Sequence, residues 1–247
     1  MPEPLWWVYG VIAAPASLPA ELRGVEGQHV ELVQQDSLAT LASPVPADEF
    51  SGAALERRLN DLGAIGAMAR GHEQVLDSVL AERDVVPLKL CTLYLTQDAL
   101  RAMLVAERER LLDALQRVRG AVELGVKVFA PPPRAAESER PASGTQYLAA
   151  RLAQRRRQAD GEASLERSVA ELHARLTDHA ASAVLLRPQD RRLSGREQEM
   201  LLNGAYLVHR TETSAFAELV ESLGAPGELG LEITGPWPPY HFAEVRA

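Results

Sequence analysis

The chain has 247 residues, of which 46% are hydrophobic and 24% are charged, so it can bury a globular core without disulfides or a structural metal. Its 34 acidic and 26 basic side chains give a formal net charge of -8, which repels phosphate backbones and disfavours nucleic acid as a partner. The length favours two modest domains. No stretch is typical of a signal peptide or a membrane span, so we expect a soluble cytoplasmic protein.

The first half predicts a mixture of strands and helices. Residues 5–13 are rich in aromatic and β-branched side chains and predict an opening strand, and residues 29–46 predict two short strands around a turn at 35–37. Residues 85–95 predict a further strand, and residues 96–120 a single helix with Thr96 as its N-cap. Between them lies a helix whose apolar stripe steps by three and four residues: Leu62, Ile65, Ala69, His72, Leu76 and Val79.

The second half predicts a more specific order of elements. Strands are predicted at 121–130, 181–188, 200–210 and 227–235, and helices at 145–158, 164–180 and 213–225, with a break near Gly161. If the broken helix is counted as one, the order is β-α-β-β-α-β, the ferredoxin-like plan of a four-stranded antiparallel sheet with helices on one face. The fold class is therefore α+β.

In such a sheet the fourth strand lies at an edge, where unpaired backbone groups invite other strands. Three prolines at its end, Pro236, Pro238 and Pro239, have no N–H to donate, so they would end the strand and block that edge. Trp237 and Tyr240 would then fold back over apolar surface.

The candidates for chemistry are few. His72 lies on an apolar stripe without a nucleophile or second ligand spaced to partner it, which favours a hydrogen-bonded core histidine. His173 and His179 are six residues apart and do not share a helix face, so no zinc site is expected. Cys91, mid-strand beside Lys89, favours packing over reactivity. We predict no catalytic, cofactor-binding or metal-ligating residue and no cofactor.

The most basic run, RLAQRRRQ at 151–158, is followed by acidic residues. This pattern favours a solvated helix whose arginines meet carboxylates on a neighbour, and a dedicated docking patch for a partner is the alternative.

Five runs, in this order along the chain, resemble the gas vesicle protein F/L family: GHEQVLDSVL, VVPLKLCTLY, ELGVKVF, NGAYLVHR and LEITGPWPPYHF. The last run is the most specific, and the resemblance covers nearly the whole chain. It is weakest between residues 131 and 195. Where members of the family usually have Arg-Phe-Gly after the strand near Val86, this chain has Lys89-Leu90-Cys91.

The resemblance implies an N-terminal α+β domain over residues 1–120 and a modified ferredoxin-like domain over 121–247 with a helical insertion around 145–180. It implies a non-enzymatic accessory or minor structural protein of gas vesicles, located in the cytoplasm or on the vesicle. Such a protein would bind the small hydrophobic shell subunit, prevent its aggregation during nucleation, and contact other accessory proteins, with no nucleic acid or membrane as partner. Trp237, Tyr240 and Phe242 are the candidate partner-binding or structural motif.

Two routes could bind a shell subunit: strand addition at an exposed edge near residues 184–186, or an apolar groove between domains or along the helices. A small-molecule-binding ferredoxin-like domain is the alternative function, because that fold hosts many unrelated activities. It would require a deep pocket with convergent polar groups.

Overall fold

The computed structural model describes residues 3–131, 144–189, 198–224 and 229–243, without the side chains of 144–150. It confirms the α+β class, with two sheets in two compact units. The first unit comprises Met1–Glu123 and Pro236–Ala247, and the second comprises Leu124–Gly235. The domains 1–120 and 121–247 stay a prediction, but the contacts group the last residues of the chain with the first unit.

The sheet of the first unit is built around its first strand. Its strands are β1 (Leu5–Ala13), β2 (Glu31–Gln35), β3 (Leu38–Val45), β4 (Val86–Pro87) and β5 (Leu93–Tyr94). Their order is β2-β3-β1-β4, and β5 also pairs with β1. β1 runs antiparallel to β3, from Leu5 opposite Val45 to Ala13 opposite Leu38. Because Trp7 and Val8 on opposite faces of β1 are both fully buried, β1 is covered on both sides.

Four helices complete the first unit: α1 (Gly52–Asn60), α2 (Leu62–Leu80), α3 (Gln97–Ala106) and α4 (Arg108–Arg117). α1 was not predicted from the sequence. The predicted apolar stripe of α2 was wrong at Leu62, which is 88% exposed. Its buried residues are Met68, His72, Val75, Leu76, Val79 and Leu80. α2 continues through Gly71, where a Cβ would lie 3.1 Å from the Cα of Val25, so this glycine permits close packing rather than a break.

The single helix expected over 96–120 is interrupted at Glu107, and α3 and α4 each bury their own apolar residues. Thr96 is confirmed as the N-cap, because its side chain accepts a hydrogen bond from the Ala99 N–H at 3.1 Å.

The prediction of one continuous strand over 85–95 was wrong, because its middle residues form a turn between β4 and β5. β4 and β5 both pair with β1, but between them the chain turns, with the Thr92 N–H donating to the Lys89 carbonyl at 3.2 Å. Pro87 has no N–H to continue the ladder. Cys91 lies in this turn with φ of 64°, in the left-handed region, and not in a strand.

The second unit has the predicted β-α-β-β-α-β order. Its strands are β6 (Ala121–Phe129), β7 (Ser182–Leu186), β8 (Met200–His209) and β9 (Gly230–Trp237), and its helices are α5 (Gly144–Asp178) and α6 (Thr213–Leu223). The sheet order β7-β8-β6-β9 places the last strand at an edge, as expected for a ferredoxin-like sheet. β9 extends through Pro236 to Trp237, slightly further than predicted.

The break expected near Gly161 was wrong, because α5 is one helix of 35 residues. A glycine costs a helix about 1 kcal/mol relative to alanine, which does not end a helix this long. Leu172 and Leu176, near the C-terminal end of α5, are buried in the core of the unit with Tyr206 and Phe216. This end of the helix therefore anchors it on the sheet.

The φ of Cys91 leads to a test of stability. A side chain in the left-handed region costs roughly 1–2 kcal/mol, and glycine avoids most of this cost. We expect Cys91→Gly to be about 1 kcal/mol more stable than Cys91→Ala, which loses the same thiol but keeps a Cβ. Urea unfolding of both variants measures the difference, and equal stabilities would show that this turn is not strained.

Candidate functional site

The candidate motif at the end of the chain packs onto the first unit. Pro238 and Pro239 are buried, and the Ala243 N–H donates to the Pro239 carbonyl at 2.9 Å, which closes a tight turn. Tyr240 packs against the core of the first unit, and its O–H donates to Oε1 of Glu73 on α2 at 2.8 Å. The turn thus points the phenol ring back into the unit that contains the start of the chain.

A second carboxylate holds the next residue of the motif. Glu123 is only 5% exposed, and its Oε2 accepts from the His241 N–H at 3.0 Å. The His241 Nδ1 lies 2.6 Å from Oε1 of the same carboxylate. Phe242 is buried, and its carbonyl accepts from Nε of Arg117 at 3.4 Å. Both oxygens of a buried acid are therefore paired with one residue of the terminal run.

Burial controls the electrostatics around Tyr240. It raises the pKa of the Glu73 carboxyl, an effect that the Tyr240 hydrogen bond opposes and Asp77 reinforces. The other carboxyl oxygen of Glu73, Oε2, is buried without a hydrogen-bond partner. The pKa of Tyr240 is raised by its own burial and by the hydrogen bond to Glu73. The phenol therefore stays protonated and donates.

The three predicted motif residues do not share one environment. Tyr240 is half-buried and Phe242 is buried, whereas Trp237 at the end of β9 is 44% exposed. The structure thus brings Tyr240 and Phe242 together on the first unit and leaves the indole accessible. Their roles in binding stay a prediction.

His72 is a core residue, buried between β1 and the turn after β4. Its Nδ1 accepts from the Trp7 indole N–H at 3.0 Å, so the proton of the neutral ring is on Nε2, which donates to the Leu88 carbonyl at 3.1 Å. Burial lowers its pKa from 6.5 to about 4, with the Leu88 bond opposing. Both ring nitrogens are occupied, so the ring is not placed to act as a base.

The other candidates for chemistry also have structural partners. His173 Nδ1 lies 2.8 Å from the Tyr206 hydroxyl, and His179 Nδ1 lies 2.8 Å from the Arg175 carbonyl. Burial raises the pKa of the Cys91 thiol, which disfavours a reactive thiolate. Across the described ranges, no three His, Cys, Asp or Glu side chains are grouped to hold a metal ion. Within the same residues, no helix is both long and apolar enough to cross a bilayer.

The second unit contains a groove whose lining residues were not predicted from the sequence. It has a volume of about 800 Å³ and lies between α5 and the strands β7 and β8. Its apolar residues include Leu165, Val169, Leu185, Leu186 and Met200, and its α5 wall also carries Glu162 and Glu166. β7 is an edge strand, and Leu185 on it is 58% exposed. The exposed edge of β7 and the apolar groove are therefore adjacent.

The family model described as gas vesicle synthesis protein GvpL/GvpF matches residues 5–244. The chain belongs to the GvpL/GvpF family. Gas vesicle protein L of Streptomyces sp. strain CB03234 is 36% identical over 249 residues, covering 98% of this chain and 93% of that protein. Gas vesicle protein F1 of Halobacterium salinarum is 25% identical, covering 97% of this chain and 93% of that protein. The resemblance inferred from the sequence is confirmed.

Solved structures agree with the GvpL/GvpF assignment at the level of the fold. The crystal structure of gas vesicle protein GvpF from Anabaena sp. PCC7120 superposes with a TM-score of 0.73 at 20% identity, covering 99% of this chain and 98% of that chain. GvpF from Microcystis aeruginosa gives 0.69 at 18% identity, covering 97% of this chain and 99% of that chain. The two-unit fold is therefore that of known GvpF proteins.

The buried His72 predicts a dependence of stability on pH. Since folding lowers its pKa from 6.5 to about 4, the folded state favours the neutral ring. The contribution of His72 to the free energy of unfolding should therefore be complete above pH 6.5. As the pH falls towards 4, the free energy of unfolding should decrease by about 3 kcal/mol because of this group. Imidazole ¹⁵N shifts should show a neutral ring with its proton on Nε2 down to about pH 4. A midpoint near 6.5 would contradict the burial.

The Tyr240 hydrogen bond predicts the effect of removing it. Tyr240→Phe deletes the donor to a half-buried carboxylate, and we expect a loss of about 2 kcal/mol in urea unfolding. Adding Glu73→Met should restore most of this loss, because both polar partners are then absent. The control Trp237→Phe, at an exposed position, should change stability by less than about 0.5 kcal/mol. If Tyr240→Phe matches that control, the terminal run does not hold the first unit together.

Proposed function

We propose that this chain is a non-enzymatic assembly factor that binds the small hydrophobic shell subunit of gas vesicles and prevents its aggregation during nucleation. The observation that carries this proposal is the GvpL/GvpF family match, which extends over residues 5–244. It includes both units of the fold. A family match that covers both units supports a role in gas vesicle synthesis more strongly than a match to a single domain would.

The physical demand on such a factor is to cover apolar surface reversibly. Apolar strands and helices that are not yet assembled find each other and aggregate. A binding surface for them must offer main-chain hydrogen bonds, apolar contacts, or both. Catalytic groups are not required, which is consistent with the structural partners of His72 and His173.

The β7 edge with its adjacent groove is the surface that best fits this demand. Among the described strands of the second sheet, β7 and β9 lie at the edges, and β9 contains Pro236, which has no N–H to donate. β7 contains no proline, and Leu185 is exposed on it. An apolar segment could therefore add to the β7 edge and place side chains in the groove.

The terminal motif divides into two roles in this proposal. Tyr240 and Phe242 hold the end of the chain on the first unit, whereas Trp237 is free to contact a partner. Other gas vesicle proteins are the further partners that family membership favours. The factor would act in the cytoplasm and then at the vesicle, without nucleic acid or membrane as partner.

Co-expression with the shell subunit tests the proposal. The chain should co-purify with the subunit and raise the fraction of subunit that remains soluble relative to expression of the subunit alone. If the subunit aggregates to the same extent with and without the chain, direct holding is wrong, and the chain acts through other gas vesicle proteins.

The proposed surface makes a specific prediction for Leu185→Glu. A charge at this position should weaken shell-subunit binding by about 1 kcal/mol, or roughly fivefold, because an apolar contact is lost. The matched control is Leu62→Glu, which changes a leucine that is also exposed but lies on the first unit. Pull-down titration compares the two variants, and circular dichroism checks their folding. Equal binding by both would exclude the β7 edge as the binding surface.

A further inference from the structure

The first half of α5 is exposed over a long stretch. Every residue from Arg151 to Ser164 is exposed, which is roughly four helical turns. A helix of this length is marginal in water without tertiary contacts. Leu152 within it is 61% exposed. The helix thus presents a surface that its own unit leaves uncovered.

Over residues 151–166 of α5 the charges are separated by sign along the chain, and Arg167, whose Nε donates to the Ala163 carbonyl, follows them. Arg151, Arg155, Arg156 and Arg157 come first, and Asp160, Glu162 and Glu166 follow. Within the part of the chain that the structure describes, none of these seven residues makes an ion pair or a side-chain hydrogen bond. The expected pairing of the arginines with carboxylates on a neighbouring helix is therefore not observed.

The spacing of the charges works against the helix itself. Arg151 and Arg155 are four residues apart, and so are Glu162 and Glu166. Like charges at this spacing destabilise a helix by about 0.2–0.5 kcal/mol for each pair. Steps of four, seven and four residues keep all four side chains on one face. One face of α5 therefore carries a positive pair followed by a negative pair.

This arrangement is complementary to itself under a two-fold rotation. The midpoint between Arg151 and Glu166 is also the midpoint between Arg155 and Glu162, next to Gln158. If a second α5 lies antiparallel about this point, Arg151 faces the second copy's Glu166, and Arg155 faces the second copy's Glu162. Two-fold symmetry repeats both pairs, as in an isologous interface.

We propose that two copies of this chain associate through antiparallel pairing of α5, centred beside Gln158. Exposed ion pairs alone are worth only about 0–1 kcal/mol each, so the interface needs apolar contacts as well. The groove provides them, because Glu162 and Glu166 form its α5 wall beside Leu185 and Leu186. In this pairing the second copy's Leu152 is level with Leu165, one of the apolar residues that line the groove.

A second copy fits this surface better than a nucleic acid does. The same face carries Glu162 and Glu166, and the whole chain has a net charge of -8, so a phosphate backbone meets repulsion next to the arginines. The second copy offers both signs of charge at the matching spacing. The association goes beyond the proposed function, since it requires no shell subunit. Because it uses the same groove, a second copy and a shell subunit would compete for this surface.

Sedimentation equilibrium of the purified full chain tests the pairing. We expect a dimer at low ionic strength whose Kd weakens roughly tenfold or more at high salt, because exposed ion pairs are screened. The double variants R151E/R155E and E162R/E166R should each be monomeric, because every cross-pair then repels. The control R57E/R108E makes the same charge change as the first variant at two exposed arginines of the first unit and should leave the dimer intact.

Recombination of the charges separates pairing from a loss of folding. Mixing R151E/R155E with E162R/E166R creates four attractive pairs, so the mixture should form a heterodimer although neither variant self-associates. The quadruple variant R151E/R155E/E162R/E166R should again form a homodimer. A monomeric wild type at all concentrations, dimers in either double variant alone, or no heterodimer on mixing would each overturn the proposal. None of these outcomes depends on whether the chain binds a shell subunit.

Discussion

The hydrogen bond from the Trp7 indole to His72 connects the central strand of the first unit to the helix that covers it. β1 is covered on both faces, so a polar atom in its side chains needs a partner inside the protein. His72 meets this need with one nitrogen, and its other nitrogen donates to the carbonyl of Leu88, in the turn where the strand pairing is interrupted. Tyr9, two residues along β1, does the same: its hydroxyl donates to Ser43 and accepts from the Val25 N–H. The aromatic residues that make β1 a strand thus also determine which polar groups must surround it.

The terminal run is part of the same core. Glu73, which accepts from Tyr240, follows His72 directly on α2, and Tyr240 packs on the core cluster that contains Trp7 and Tyr9. The motif that most strongly indicated the family is therefore, for Tyr240 and Phe242, a part of the fold. Its specificity in sequence is explained by packing: two buried prolines in the turn, a phenol that donates to the half-buried carboxylate of Glu73, and a backbone N–H that donates to the buried Glu123. Trp237 is the motif residue that this packing leaves exposed.

Local patterns in the sequence predicted the second unit well and the first unit less well. The β-α-β-β-α-β order follows from runs of strand-forming and helix-forming residues, each of which is visible within a short window. The break predicted at Gly161 was wrong because a glycine is typical of a helix end in a short window. Its cost of about 1 kcal/mol is too small to end a helix of this length. The turn at Cys91 and the exposure of Leu62 depend on tertiary packing. The pairing of Tyr240 with Glu73 joins residues 167 positions apart, and no local pattern contains that information.

The division of the chain has a consequence for its synthesis on the ribosome. The second unit is inserted between Glu123 and Pro236, so all of its residues emerge before the segment that completes the first unit. Domains generally fold as units while the chain is being made. The second unit can therefore fold while the first still lacks Tyr240 and Phe242. Until the segment after β9 is translated, Glu73 and Glu123 lack the hydrogen bonds that they form with Tyr240 and His241. The segment that follows β9 thus completes the unit that contains β1 only after the whole second unit has been translated.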